Sequence, residues 1–203
     1  LRITVLGSAA VVVLFAAGLV FLEPFDEQNP QPVEAVQVVD NEAKTQTLEL
    51  KSPAPLEGLV IRVGSQRYPV DTEERSYRIE MPGEPDILSV AEDQREFLSR
   101  SQVVLTIDSS LAPERIEVSL QSEEELLIYD SAFPYERRGE RQVEFAVGRF
   151  PPNPLRLPFT VPGESETSIH VRLHSRETPE EIESTEEAFR LETRTRVLHK
   201  VSQ

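Results

Sequence analysis

Short runs in which buried-type and wet-type residues alternate dominate this chain. Ile116, Val118 and Leu120 are separated by Glu117 and Ser119, and Val143, Phe145 and Val147 by Glu144 and Ala146. A period of two marks strands with one face in a core and one in water. The same reading predicts strands over residues 45–50, 58–63, 76–80, 86–90, 102–108, 114–120, 125–130, 142–147, 155–160, 168–174 and 189–201. Breaks at Gly64, Pro82-Gly83, Pro113 and Pro162-Gly163 punctuate the runs and favour hairpins. The expected class is all-β, an antiparallel β-sandwich-like domain over residues 45–203, with a division near residue 100 into two small β modules as the alternative. Helix signals are few. Residues 89–100 offer Ser89 as N-cap with Glu92 three residues on, and Thr178-Pro179-Glu180-Glu181 offers a second short start.

One segment breaks the pattern. Residues 3–22, ITVLGSAAVVVLFAAGLVFL, contain no charge, and a helix of that length matches the hydrocarbon core of a bilayer. Residues 1–22 are therefore expected to be a transmembrane anchor. A cleaved signal peptide is the competing reading, but a cut near Ala17 leaves Gly18 and the four apolar residues after it as an exposed stub. Gly7, Ala10, Ala17 and Gly18 fall near one helical face and suit close packing against a partner helix in lipid. Arg2 precedes the span, and six acids follow it before the first later cation, Lys44. Lys and Arg are retained on the cytoplasmic side, so the N-terminus is expected inside and the remaining residues outside. Residues 23–44 are acidic and contain Pro24, Pro30 and Pro32, which reads as an extended stalk.

Charge narrows the partners. The chain holds 36 acids against 21 bases for a net charge of −15, and such a surface repels nucleic acid and anionic headgroups at long range. No DNA- or RNA-binding role is expected. Cysteine is absent, so disulfides and thiolate chemistry are excluded, and no Asn-x-Ser/Thr acceptor occurs. These features fit a bacterial inner-membrane protein with its domain in the periplasm.

Chemistry-bearing motifs are missing. His170 and His174 have an H-x-x-x-H spacing, but on a strand they lie about 13 Å apart, too far for one zinc ion. Nucleophile elbows, phosphate loops and dinucleotide fingerprints are absent. Neither a cofactor nor a metal is expected, and no catalytic residue is assigned. Two segments look like contact surfaces instead. Residues 150–162, FPPNPLRLPFTVP, carry five prolines and the apolar Phe150, Leu155, Leu157 and Phe159, which suits either the domain's own core or a docking ridge. In residues 189–201 Arg190, Arg194 and Arg196 share one strand face, either answering acids of a neighbouring strand or meeting an acidic partner. The expected role is a non-enzymatic, single-pass accessory subunit of a larger energy-transducing or transport complex. It contacts the bilayer and the other subunits through the span and the β domain. The alternative is a free-standing envelope module that binds a cell-wall, glycan or protein ligand.

Overall fold

Fourteen strands carry the chain in the computed structural model, which describes residues 25–83, 85–97, 100–128, 131–162 and 166–202. They are β1 (Gln31–Asp40), β2 (Thr45–Lys51), β3 (Leu59–Val63), β4 (Gln66–Val70), β5 (Ser76–Met81), β6 (Leu88–Phe97) and β7 (Arg100–Ser109) in the first half. The second half holds β8 (Arg115–Ser122), β9 (Tyr135–Arg137), β10 (Gln142–Gly148), β11 (Leu155–Pro162), β12 (Thr167–Ser175), β13 (Ile182–Ser184) and β14 (Phe189–Ser202). Eight of them form one long sheet in the order β5-β2-β1-β14-β12-β8-β10-β9. Two three-stranded sheets, β13-β3-β4 and β11-β7-β6, complete the described fold.

The alternation in sequence explains how the layers stack. Every second residue of the long sheet points to one side, where it meets one of the small sheets. Val33 and Ala35 of β1, with Leu48 and Leu50 of β2, pack against Leu59 and Ile61 of β3 in a first core. Ile116, Val118 and Leu120 of β8, with Phe145 of β10, pack against Val103, Leu105 and Ile107 of β7 in a second, larger one. Each fully buried Leu, Ile or Phe contributes about 1.5–3 kcal/mol through removal of apolar surface from water.

Between the two cores the inner face turns polar. Gln37, Thr195 and Ser175 lie side by side across β1, β14 and β12, and all three are buried. Burial of such groups is tolerated when they are hydrogen-bonded. Gln37 Nε2 donates to Gln46 Oε1 at 2.9 Å, the Thr195 hydroxyl to Glu177 O at 2.7 Å, and the Ser175 hydroxyl to Ala112 O at 2.9 Å. The seam divides the hydrophobic clusters where the chain leaves β5 for β6 and returns from β12 to β13. The middle of the chain thus builds the second core as an insertion, while the first is closed by strands from both ends.

Several sequence expectations are corrected. The division does not fall near residue 100, because β6 and β7 pair as a hairpin across that point. Residues 31–40 are not stalk but a central strand. Gln31 and Gln37 occupy two of its buried positions, so the apolar alternation is interrupted where a core strand would show it. Residues 89–97 form no helix: β6 runs through them, paired along its length with β7. No helix forms at residues 178–181 either, and among the described residues there is none anywhere. Of the strand expected over residues 125–130, the described residues 125–128 show a single bridge, Leu127 to Thr160. The topology is not wholly antiparallel, since β1 and β14 run parallel. They come from opposite ends of the described chain, and the intervening strands supply the long connection that a parallel pair needs. Residues 3–22, with Gly7, Ala10, Ala17 and Gly18, lie outside the described residues. Among those described, no helix is long and apolar enough to cross a membrane.

Candidate functional site

The side of the long sheet facing away from both cores carries the residues of interest. On β12, Ile169, Val171 and Leu173 are buried while His170 and Arg172 are exposed and His174 is half-buried. On β14 the same alternation turns Arg190, Arg194 and Arg196 outward, as their spacing predicts. Register then adds what spacing alone does not contain. Arg196 stands directly across from His174, and His174 directly across from Arg115 of β8.

Three cation-capable side chains therefore sit in a row on neighbouring strands, about 4.8 Å apart. One carboxylate serves them. Glu117 approaches Arg115 at 2.8 Å, Arg172 at 3.2 Å and His174 Nε2 at 3.8 Å. Arg194, Arg196 and Arg190 make no ion pair within 4 Å among the described residues. Directly opposite Arg194 and Arg196, β1 presents Val36 and Val38, and β12 presents His174 opposite Arg196, while the acids Glu34 and Glu114 line the same groove without an ion pair to them within 4 Å among the described residues. Burial lowers the His174 pKa, with the Arg196, Arg115 and Arg172 charges acting in the same direction and Glu117 opposing them. A hydrogen bond from Arg176 holds the Glu114 carboxyl below the ordinary carboxylate range.

Two open grooves cross this face. The smaller, of about 560 Å³, is lined by Arg115, Arg149, Arg194 and Arg196 against the two carboxylates of Glu34 and Glu114, with Val36 and Ala146 among its apolar surfaces. It is a locally cationic site in an acidic protein. The larger, of about 990 Å³, shares Arg115 and contains Glu117, Arg172, His170, Lys200 and Tyr135. Tyr135 is 42% exposed and leans on Phe145, with ring centroids 5.6 Å apart.

The proline-rich segment divides in two. Leu155, Leu157 and Phe159 point into the second core, so they form no docking ridge. Their strand pairs with β7 along its whole length, with Pro158 and Pro162 inside that pairing. Phe150 alone is outward, 80% exposed. Arg149 and Phe150 both adopt left-handed backbone angles, φ 55° and 65°, and the Phe150 N–H donates to Glu114 O at 3.3 Å. This turn places Arg149 in the lining of the smaller groove and leaves the next residue, Phe150, exposed. Arg115, Arg149 and His174 were invisible as members of one site, because only strand register assembles them. No group of His, Asp and Glu able to hold a metal occurs among the described residues.

A family model, TP_0564_3rd, described as a third domain, matches residues 33–201. The chain belongs to the TP_0564_3rd family. The matched region spans both cores and every outward residue of the grooves. No curated protein matches the chain. Among solved structures, the chain is similar to the mu homology domain of Fcho1 from Danio rerio with a bound Eps15 peptide, at 9% identity over 87% of this chain and 98% of that one, with a TM-score of 0.42. The yeast delta-COP-I mu-homology domain is 12% identical over 84% of this chain and 96% of that one, with a TM-score of 0.46. The same yeast domain complexed with a Dsl1 WxWxV peptide gives 12%, 83%, 95% and 0.40.

Proposed function

We propose that this chain is a non-enzymatic accessory subunit, anchored to a membrane through residues 3–22, that holds another subunit of a membrane complex on the outer face of its long sheet. The observation that carries the reading is the asymmetry of that sheet. Its inner face is covered by the two small sheets, whereas no described element covers the outer face, which is grooved and carries Arg194 and Arg196 without an ion pair within 4 Å among the described residues. Desolvated charge-complementary contacts give specificity and fast association, and a β scaffold holds such side chains rigidly.

Purification from native membranes in mild detergent, with crosslinkers placed at Arg172 or Arg194, tests it. The expected result is one stoichiometric partner crosslinked from these positions and not from exposed Arg67 or Arg156 on the small sheets. A chain that remains in the pellet after high-salt and carbonate washing satisfies the anchoring half, because hydrocarbon burial is insensitive to salt. Release by either wash, or a chain that always migrates alone, ends the proposal.

One observation favours the second reading, a free-standing module for a cell-wall glycan. Tyr135, 42% exposed, lies at the edge of the larger groove with its ring on Phe145, and an exposed aromatic at a groove edge suits stacking on sugar. Retention of the chain on isolated peptidoglycan, lost in Tyr135→Ala, supports that alternative.

A further inference from the structure

The smaller groove carries three features that the folded chain alone does not account for. Opposite charges across adjacent strands stabilise a sheet, yet Arg196 and Arg115 flank His174 in one register row and no carboxylate pairs with Arg196 within 4 Å among the described residues. Buried polar atoms are ordinarily paired, yet Arg196 Nε is buried without a hydrogen-bond partner among the described residues. Left-handed backbone at non-glycine residues costs about 1–2 kcal/mol each, yet Arg149 and Phe150 both adopt it and thereby expose an aromatic ring. Strain of this kind persists where the surroundings enforce it and clusters at ligand sites.

The geometry points to an acidic, extended segment of a partner protein as the occupant, with carboxylates on alternate residues and an apolar side chain against Phe150. This rests on the reading of the outer face as a docking surface and names the chemistry of its partner. Arg194 and Arg196 are two residues apart on a strand, hence about 6.7 Å, and acids at alternate positions of an extended segment repeat at that interval. The cations extend from β14 across β12 and β8 to Arg149 beyond β10, a distance no single small anion bridges. Val36 and Ala146 offer apolar contact between the charged positions. The cations line a groove of about 560 Å³ rather than a flat face, which suits one extended segment better than a lipid surface.

The test uses the full chain in phosphatidylcholine nanodiscs, titrated by fluorescence anisotropy with a labelled dodecapeptide that alternates Glu with Val and Phe, and with the same peptide carrying Lys for Glu. NMR of the arginine Nε–Hε groups locates binding. The glutamate peptide is expected to bind at least about tenfold tighter than the lysine peptide, as removal of a charge partner at a desolvated contact predicts. It should shift Arg194 and Arg196 resonances, lose about tenfold or more in affinity in Arg194→Glu/Arg196→Glu, and lose a few-fold in Phe150→Ser. Circular dichroism melts verify that each variant is folded, and Arg149→Gly supplies a second variant at a position where glycine relieves strain. Equal affinity for the two peptides, or no arginine shift at millimolar peptide, overturns the inference. So does displacement of the peptide by inorganic phosphate at equal concentration, or arginine-dependent binding of phosphatidylglycerol vesicles without peptide binding. A crosslinked partner on the outer face combined with a silent peptide refutes only the acidic chemistry. Peptide binding by a chain that has no partner in native membranes refutes the subunit reading and leaves the groove assignment standing.

Discussion

The two faces of the long sheet share one hydrogen-bonded ladder and have opposite designs. On β14, Val197 is fully buried in the second core while its neighbour Arg196 faces a groove beside two other cation-capable groups. On β10, Phe145 is buried and Glu144 is half-buried on the other side, paired with Arg138 at 2.8 Å. The inner face is apolar except at a few positions such as Gln37, Ser175 and Thr195. The outer face leaves Arg194 and Arg196 without an ion pair within 4 Å among the described residues and strains a turn at Arg149 and Phe150. Because strand side chains alternate, stability and recognition are separable here residue by residue, and substitutions one position apart should act on different quantities.

The largest effect is expected from the inner face. Phe145→Ala removes the largest fully buried side chain of the second core and should lower unfolding free energy by about 3–5 kcal/mol, as large-to-small core replacements do. Denaturant titration measures it, and a loss under about 1 kcal/mol would mean the core is not packed as described. Glu144→Ala, one residue away, should cost under about 1 kcal/mol, in keeping with exposed ion pairs.

How far this contrast was legible in sequence depended on the purity of the alternation. β8, β10, β12 and the C-terminal strand carry apolar residues at their central buried positions, with polar ones only at Ser122, Thr167, Ser175 and Thr195, and their outward residues follow directly. β1 escaped notice because Gln31 and Gln37 hold buried places and Pro32 lies between, so its pattern imitates a linker. β6 was read only to Val90 because its exposed residues beyond that point are nearly all polar and pairing with β7 keeps it extended, a tertiary effect that overrides local propensity. Arg190, Arg194 and Arg196 were readable as one face of one strand. The groove was not, since Arg115, His174 and Arg149 join them only through register among strands far apart in sequence.

On the outer face the next effect comes from Glu117. Glu117→Gln removes the one carboxylate that Arg115, Arg172 and His174 share, and it should cost about 1 kcal/mol, more at low salt than at high. A thermal midpoint that is unchanged at low ionic strength would show that the cation row is not repulsive. Arg149→Gly goes the other way. Glycine adopts φ 55° freely, so the variant should gain up to about 1 kcal/mol while the glutamate peptide binds it more weakly. Equal losses of stability and binding would place Arg149 with the structural residues instead.

The smallest effect is a pH slope. Burial depresses the pKa of His174 from the ordinary 6.5, and burial likewise depresses that of His199, where Lys44 acts with it and Glu42 and Asp40 act against it. A histidine with a depressed folded pKa binds protons more readily when unfolded, so its contribution is fully present above the unfolded value and is lost as pH falls toward the folded one. Thermal midpoints should therefore decline between about pH 7 and about pH 5, and His174→Gln should flatten part of that decline. The glutamate peptide should flatten it too, because a carboxylate placed between Arg196 and Arg115 favours the protonated ring that the free chain opposes. If the slope survives His174→Gln and His199→Gln together, acid sensitivity in this range arises elsewhere. If the peptide steepens it, no carboxylate sits beside His174, and the row of cations is not where the partner binds.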